Sequence, residues 1–231
     1  MFLIKFITYP LLVCLIKMKK LFIPTKSKKE FSKKIIEKSL DKLPEKIALV
    51  YSIQYEDTAK KLKKQFQEKN NKEITLFQQV LGCSNIKPIL PEKTQAILLI
   101  GSGIFHALEL YDESKIPVYI LGEDNFREIT NKDIESFKKN KKASYMNFLN
   151  ADSVGLLITT KPGQKRFSRA LEIKEKIQKK YNKKVYLFIS DEINISEFEN
   201  FPYINSWINT ACPRMDIVSN KIINAEDIPF G

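Results

Sequence analysis

The sequence predicts an α/β fold in which two units with mainly parallel sheets follow one another as repeats, and three patterns predict it. Short aliphatic and β-branched runs alternate with segments of helical period along the 231 residues, the signature of parallel strands joined by crossover helices. The alternation halts after Gly122, where the chain turns polar, and a second cycle begins near Leu149. Gly101, Gly103, Gly122 and Gly163 stand at or just after predicted strand ends, and Cys83 and Cys212 stand at two more. That edge is where open α/β sheets place ligands. Each unit therefore reads as Rossmann-like.

The elements follow in order. SKKEFSKKIIEKSLDKL is an amphipathic helix with Phe31, Ile35, Ile36, Leu40 and Leu43 toward one face, and KIALVYSI is a buried parallel strand. A helix over 57–69 comes next, then the strands EITLFQQV, QAILLIG and PVYILG, the last two separated by the short helix IFHALELYDE. Residues 131–149 read as a charged linker helix without strong apolar periodicity. VGLLITT is the next strand, and RFSRALEIKEKIQKKY is a helix with Phe167, Ala170, Leu171, Lys174, Ile177 and Tyr181 at helical spacing. KVYLFIS, the short helix ISEFENF and the strand around YINSWIN complete the cycle, and the tail after Cys212 closes the unit. The expected organisation is an apolar extension over 1–17, a first unit over 18–149 and a second over 150–231.

Composition bounds the function. Hydrophobic residues make up 43% of the chain, ample for buried cores. The net charge of +12 suits either a ribosome- or nucleic-acid-facing surface or a lysine-rich composition with no such role. The lysines fall on solvent faces of predicted helices, as in KKLKKQFQEK, and arginine is scarce, which weighs against direct nucleic-acid binding. Three cysteines cannot all pair, so a cytoplasmic location is expected and a disulfide scaffold is not. The opening MFLIKFITYPLLVCLIKMKK has an apolar stretch too short to span a bilayer and no A-x-A cleavage pattern. It reads as a remnant of an upstream domain, or as a start placed too early with Met18 the true one; no membrane association is expected.

Two cysteines at strand ends in separate units suggest a metal cluster between them, although composition alone favours two buried thiols. The words around them decide between these. QVLGCS (79–84), IGSGIFHALEL (100–110), TTKPGQ (159–164) and NTACPR (209–214) occur in one order, and that order resembles the diphthamide synthase family, the 2-(3-amino-3-carboxypropyl)histidine synthases. The resemblance covers about residues 21–227.

The resemblance implies three domains of similar fold around a central 4Fe-4S cluster, one cysteine from each, with this chain holding the second and third. Cys83 and Cys212 match the cysteines of those two domains. Cys14, in the apolar run LLVCLIK, does not match the first and reads as a small buried hydrophobe. Three thiolates leave one iron open, and the resemblance implies that S-adenosylmethionine binds there and is split at the methionine γ-carbon, giving a 3-amino-3-carboxypropyl radical. The implied acceptor is a histidine of translation elongation factor 2. An electron donor protein and a homo- or hetero-oligomer with a family subunit are implied as further partners. The alternatives are a non-catalytic or electron-relay subunit, or a plain nucleotide-binding α/β protein.

Other residues match more loosely. Gly101, Ser102 and Gly103 form either an anion-binding nest of N–H groups or an ordinary turn. His106, the single histidine, matches the family's GSGxFH word but suits a packed or capping role as well. Gln54 and Gln164 match the family at ligand-facing strand ends, where each either bonds the cofactor or braces a loop. Arg214 either pairs with a carboxylate, such as that of the methionine moiety, or caps a strand–helix corner.

Overall fold

The structure is a computed structural model and describes residues 25–80, 89–161, 167–212, 215 and 219–230. Its first sheet has five strands, β1 (Lys46–Tyr51), β2 (Glu73–Gln79), β3 (Ala96–Ile100), β4 (Val118–Leu121) and β5 (Phe126–Glu128), in the order β2-β1-β3-β4-β5. All neighbours are parallel except the last pair. The second sheet has β6 (Ser153–Thr159), β7 (Lys184–Ser190), β8 (Ser206–Asn209) and β9 (Ile222–Asn224), in the order β7-β6-β8-β9 and parallel throughout. The first four strands of the one sheet and the four of the other thus share one order, as repeats should. The short strands β5 and β9 go beyond the sequence reading.

β1 and β3 are apolar along nearly their whole length because both faces of the first sheet are covered. On one face lie α1 (Lys33–Lys42) and α2 (Glu56–Asn70), where Phe31, Leu62 and Phe66 meet Ile47, Leu49 and Leu98. On the other lies α3 (Ile104–Ser114), where Ala107 and Leu108 meet Val50, Ile97 and Leu99. α1 is shorter than the 27–43 expected, and begins after Ser32, yet the face chosen from its spacing is the packed one: Ile35, Ile36 and Leu40 lean on this core.

Two expectations fail on helix faces. α4 (Asn131–Asn150) is no unpatterned linker: Ile134, Phe137, Ser144 and Phe148 are buried along a single stripe with Lys141. The spacing is helical, but a lysine and a serine occupy two of its places and hide it. Ile134 and Phe137 join the first unit's core, whereas Phe148 joins the second's, so the helix ties the two together. A reciprocal capping box of Thr130 and Asp133 starts it. In α5 (Phe167–Tyr181) the packed positions are Ala170, Ile173 and Ile177, and Leu171 is 39% exposed. Ile173, one turn before Ile177, takes the inward place that Leu171 was expected to fill.

The second sheet is less evenly covered. α4 and α5 pack one face, whereas Trp207, Leu157 and Ile222 on the other meet Phe188, Phe198 and Phe201, from β7 and the 3-10 turn Ile195–Asn200 and its end. Phe198 stacks on Trp207 with ring centroids 4.0 Å apart. Gly155 of β6 makes room for the indole: a Cβ there would lie 2.5 Å from Trp207 Cε3.

Candidate metal and cofactor site

Both strand orders reverse direction beside the first strand of the unit, and the crevice at the carboxyl ends of the strands flanking that reversal is the expected ligand position. In the first sheet those strands are β1 and β3, paired to Tyr51↔Ile100. Just beyond them Ser52 faces Gly101, where a Cβ would lie 2.8 Å from Ser52 Oγ, and Gln54 follows in the 3-10 turn Ile53–Tyr55. Gln54 is half-buried, and its carbonyl accepts the Ser27 N–H at 2.9 Å. Gly101 is buried and donates its N–H to Leu121 O at 3.1 Å, while Ser102 and Gly103 are exposed. Gly103 is the N-cap of α3 at φ 98°, ψ 137°, a conformation that side chains strain to adopt. Gly103 has no side chain with which to cap that helix end, and Ser102, Gly103 and Ile104 line the crevice there. His106 sits in the first turn of α3, half-buried, its ring edge-on to Phe105 at 5.4 Å.

A pocket of about 550 Å³ opens beside this point at the carboxyl ends of β3 and β4, toward β5, and Tyr55, Ser102, Gly103, Glu123 and Arg127 are among its walls. Glu123, which follows β4, was not singled out from sequence. It accepts from Tyr55 Oη at 3.0 Å and Ser27 Oγ at 3.1 Å and pairs with Lys29 at 3.0 Å. The hydrogen bond from Lys29 holds its carboxyl below the usual range, while burial and then Glu123 push the Tyr55 hydroxyl up. One carboxylate thereby pins the segment before α1 to the carboxyl edge of the sheet.

In the second sheet the flanking strands are β6 and β8, paired to Leu157↔Asn209. Two residues beyond that pair stand Thr159 on one strand and Ala211 on the other, with Cys212 next. Thr159 Oγ1 donates to Asp191 O at 3.3 Å, and Thr160 Oγ1 bonds the Asp191 carboxylate. Thr210 donates both its N–H and its Oγ1, at 3.3 and 2.7 Å, to Leu157 O. Cys212 is half-buried with a free thiol, and its carbonyl accepts from Met215 N–H at 3.2 Å and Asn209 Nδ2 at 2.7 Å.

An unbridged thiol on a braced turn at a ligand-facing strand end is a donor that suits an iron–sulfur cluster. Cys83, Gln164 and Arg214 lie outside the described residues, as does Cys14. Val80, three residues before Cys83, continues β2 and donates to Tyr51 O at 2.9 Å. The two cysteines are therefore not equivalent in the repeat: Cys83 follows the second strand of its unit and Cys212 the third of its own. Among the described residues, no three of His, Cys, Asp and Glu gather as a metal site, and no helix is long and apolar enough to cross a membrane.

The family is decided by a match over residues 2–222 to the model described as "Putative diphthamide synthesis protein". The chain belongs to this family. Among curated diphthamide proteins it is 30% identical over 139 residues to the 2-(3-amino-3-carboxypropyl)histidine synthase of Pyrococcus horikoshii, across 60% of this chain and 39% of that protein. It is 27% identical to subunit 1 of the Bos taurus synthase, across 60% of this chain and 32% of the relative. For subunit 1 of the Encephalitozoon cuniculi synthase the identity is 25%, across 77% and 52%. The chain thus spans a third to about half of the length of these relatives.

The crystal structure of Dph2 from Pyrococcus horikoshii superposes with a TM-score of 0.72 at 24% identity, over 85% of this chain and 62% of the other. The structure of that protein with a 4Fe-4S cluster gives 0.71. The likeness is one of fold, and it agrees with the α/β architecture of two mainly parallel sheets.

Proposed function

We propose that this chain takes part in diphthamide biosynthesis as a 3-amino-3-carboxypropyl transferase, with Cys83 and Cys212 as thiolate ligands of a 4Fe-4S cluster. The observation that carries the reading is Cys212: a free thiol at the carboxyl end of β8, beside the strand reversal, in a family whose Dph2 member is described with that cluster. A bound cluster supplies an electron and an open iron for S-adenosylmethionine. The chain's own residues then bind and orient. The N–H groups at Gly103 and the start of α3 suit the carboxylate of the methionine moiety, and Gln54, in the turn after β1, is assigned to the same ligand as a further hydrogen-bonding group. Gln164 and Arg214 are assigned to the same ligand.

The acceptor in this reading is a histidine of translation elongation factor 2, in the cytoplasm, with a reducing protein and a further family subunit as partners. Mass spectrometry of the target histidine, after incubation with S-adenosylmethionine and dithionite, tests it. Addition of one 3-amino-3-carboxypropyl group, with or without a second family subunit, supports transfer. A bound cluster with no modification in either mixture replaces this reading with the non-catalytic subunit.

A further inference from the structure

Asn209, the last residue of β8, is 1% exposed, and its amide is committed on both sides. Nδ2 donates to Cys212 O at 2.7 Å and to Asn224 Oδ1 at 2.7 Å, and Oδ1 accepts the Ala211 N–H at 2.9 Å. Three of the bonds open to a carboxamide are thus made inside the protein. Thr210, the next residue, is tied to β6 through Leu157 O. The turn that carries the thiol is therefore hung between the two neighbours of β8, from β6 by Thr210 and from β9 by Asn209 with Asn224.

We propose that Asn209 is a positioning residue that presets Cys212 before any cluster is bound. Only the Cα–Cβ and Cβ–Sγ bonds separate the sulfur from the main chain, so a fixed backbone at 211 and 212 confines it to a few rotamer positions. Few other side chains can replace the amide. Leucine has the size but makes no hydrogen bonds. Ionised aspartate keeps the acceptor for Ala211 N–H, loses both donated bonds and buries a charge. Glutamine is longer by a methylene in a site with no exposure. Ligands held by such outer contacts bind metal in a defined orientation. The inference rests on Cys212 as a cluster ligand for its consequence, whereas the bracing acts on the metal-free chain as well.

The test compares Asn209→Ala and Asn209→Asp with wild type and with Thr130→Ala, which loosens the remote start of α4. Hydrogen exchange is read at Ala211, Cys212 and Met215 in the metal-free protein, and iron content after anaerobic reconstitution with iron and sulfide. Asn209→Ala should speed exchange at these amides about tenfold, the ratio that ~1.4 kcal/mol of lost hydrogen bonding gives, and lower the iron retained; Thr130→Ala should do neither. Should Asn209→Ala not fold, Asn209→Asp carries the test. Its buried carboxyl regains a donor on protonation, so its excess exchange over wild type should shrink as pH falls. Folded variants with wild-type exchange at all three amides overturn the proposal, even where Cys212→Ala loses its iron. Faster exchange with iron content that not even Cys212→Ala lowers upholds the bracing and removes the cluster reading instead.

Discussion

The carboxamide of Asn209 donates to the carbonyl of Cys212 at 2.7 Å, across a turn that begins at the last paired residue of β8. The same nitrogen reaches Asn224 on β9, so the position of the thiol is coupled to the register of two strands. The first unit solves the same place in the repeat differently. There β3 is followed by Gly101, whose N–H goes to Leu121 O, and by the exposed Ser102 and Gly103, where the second unit carries sulfur.

Gly103→Ala should weaken binding of S-adenosylmethionine while leaving the cluster in place. A Cβ at this position meets nothing within 4 Å, so the cost is conformational: φ 98° is strained for alanine by about 1–3 kcal/mol. The chain relieves it by turning the peptide at the start of α3 away from the crevice. Isothermal titration with the cofactor against the reconstituted protein checks this, with the visible absorbance of the cluster unchanged.

Gly155→Ala should lower stability by about 1–3 kcal/mol through overpacking. The new methyl would sit 2.5 Å from Trp207 Cε3 and 3.1 Å from Phe188 Cε2, and both rings are held by their neighbours. Since Trp207 is the single tryptophan, its fluorescence reports the same shift of packing that the thermal midpoint measures.

Lys141→Met should destabilise the chain by about 1–3 kcal/mol, in a pH-dependent way. The ammonium is 23% exposed and faces Asp227 at 3.3 Å, Asp112 at 3.5 Å and Glu109 at 3.7 Å, with Phe137 beneath it at 4.8 Å. Burial lowers its pKa, but the carboxylates outweigh this and hold it above the ordinary value. Burial raises Glu109 against the pull of Lys141; Asp112 is held low, where Lys115 and Lys141 outweigh its burial. Lys141 therefore stabilises fully below the ordinary lysine range and less as pH rises through its raised pKa. Asp112 stabilises above the ordinary aspartate value and less as pH falls through its depressed one, whereas ionised Glu109 costs stability. The gap between wild type and variant should be widest near neutral pH and narrow in acid, as the carboxylates left behind take up protons. Thermal melts of the two proteins from pH 4 to pH 8 measure it.

The architecture was legible where one physical cause acts alone. Strands buried on both faces must be apolar throughout, so β1, β3, β4 and β6 stand out as runs. α4 was not legible, because Lys141 and Ser144 sit in its inward stripe and the ion cluster that makes a lysine acceptable there draws on α3 and on Asp227. The three-residue strands β5 and β9 are too short to show a period. The places of Cys212 after β8 and of Gly103 between β3 and α3 were legible from the apolar runs that precede them. Asn209 carried a weaker signal, an Asn two residues before a backbone N–H it can accept, as in an Asx turn. Its bonds to Cys212 and Asn224 follow from the adjacency of β8 and β9, which lies in the fold rather than in local spacing.

The central claim is that Cys83 and Cys212 hold one 4Fe-4S cluster, and iron and sulfide content with low-temperature EPR of the anaerobically reconstituted chain tests it most directly. Wild type and Cys14→Ala should carry four irons and four sulfides, the content of one cubane, about as P. horikoshii Dph2 is described with its cluster. Cys83→Ala and Cys212→Ala should each lose most of that iron and the reduced-cluster signal. Equal iron and the same signal in all three variants would contradict the assignment and leave Cys83 and Cys212 as structural thiols.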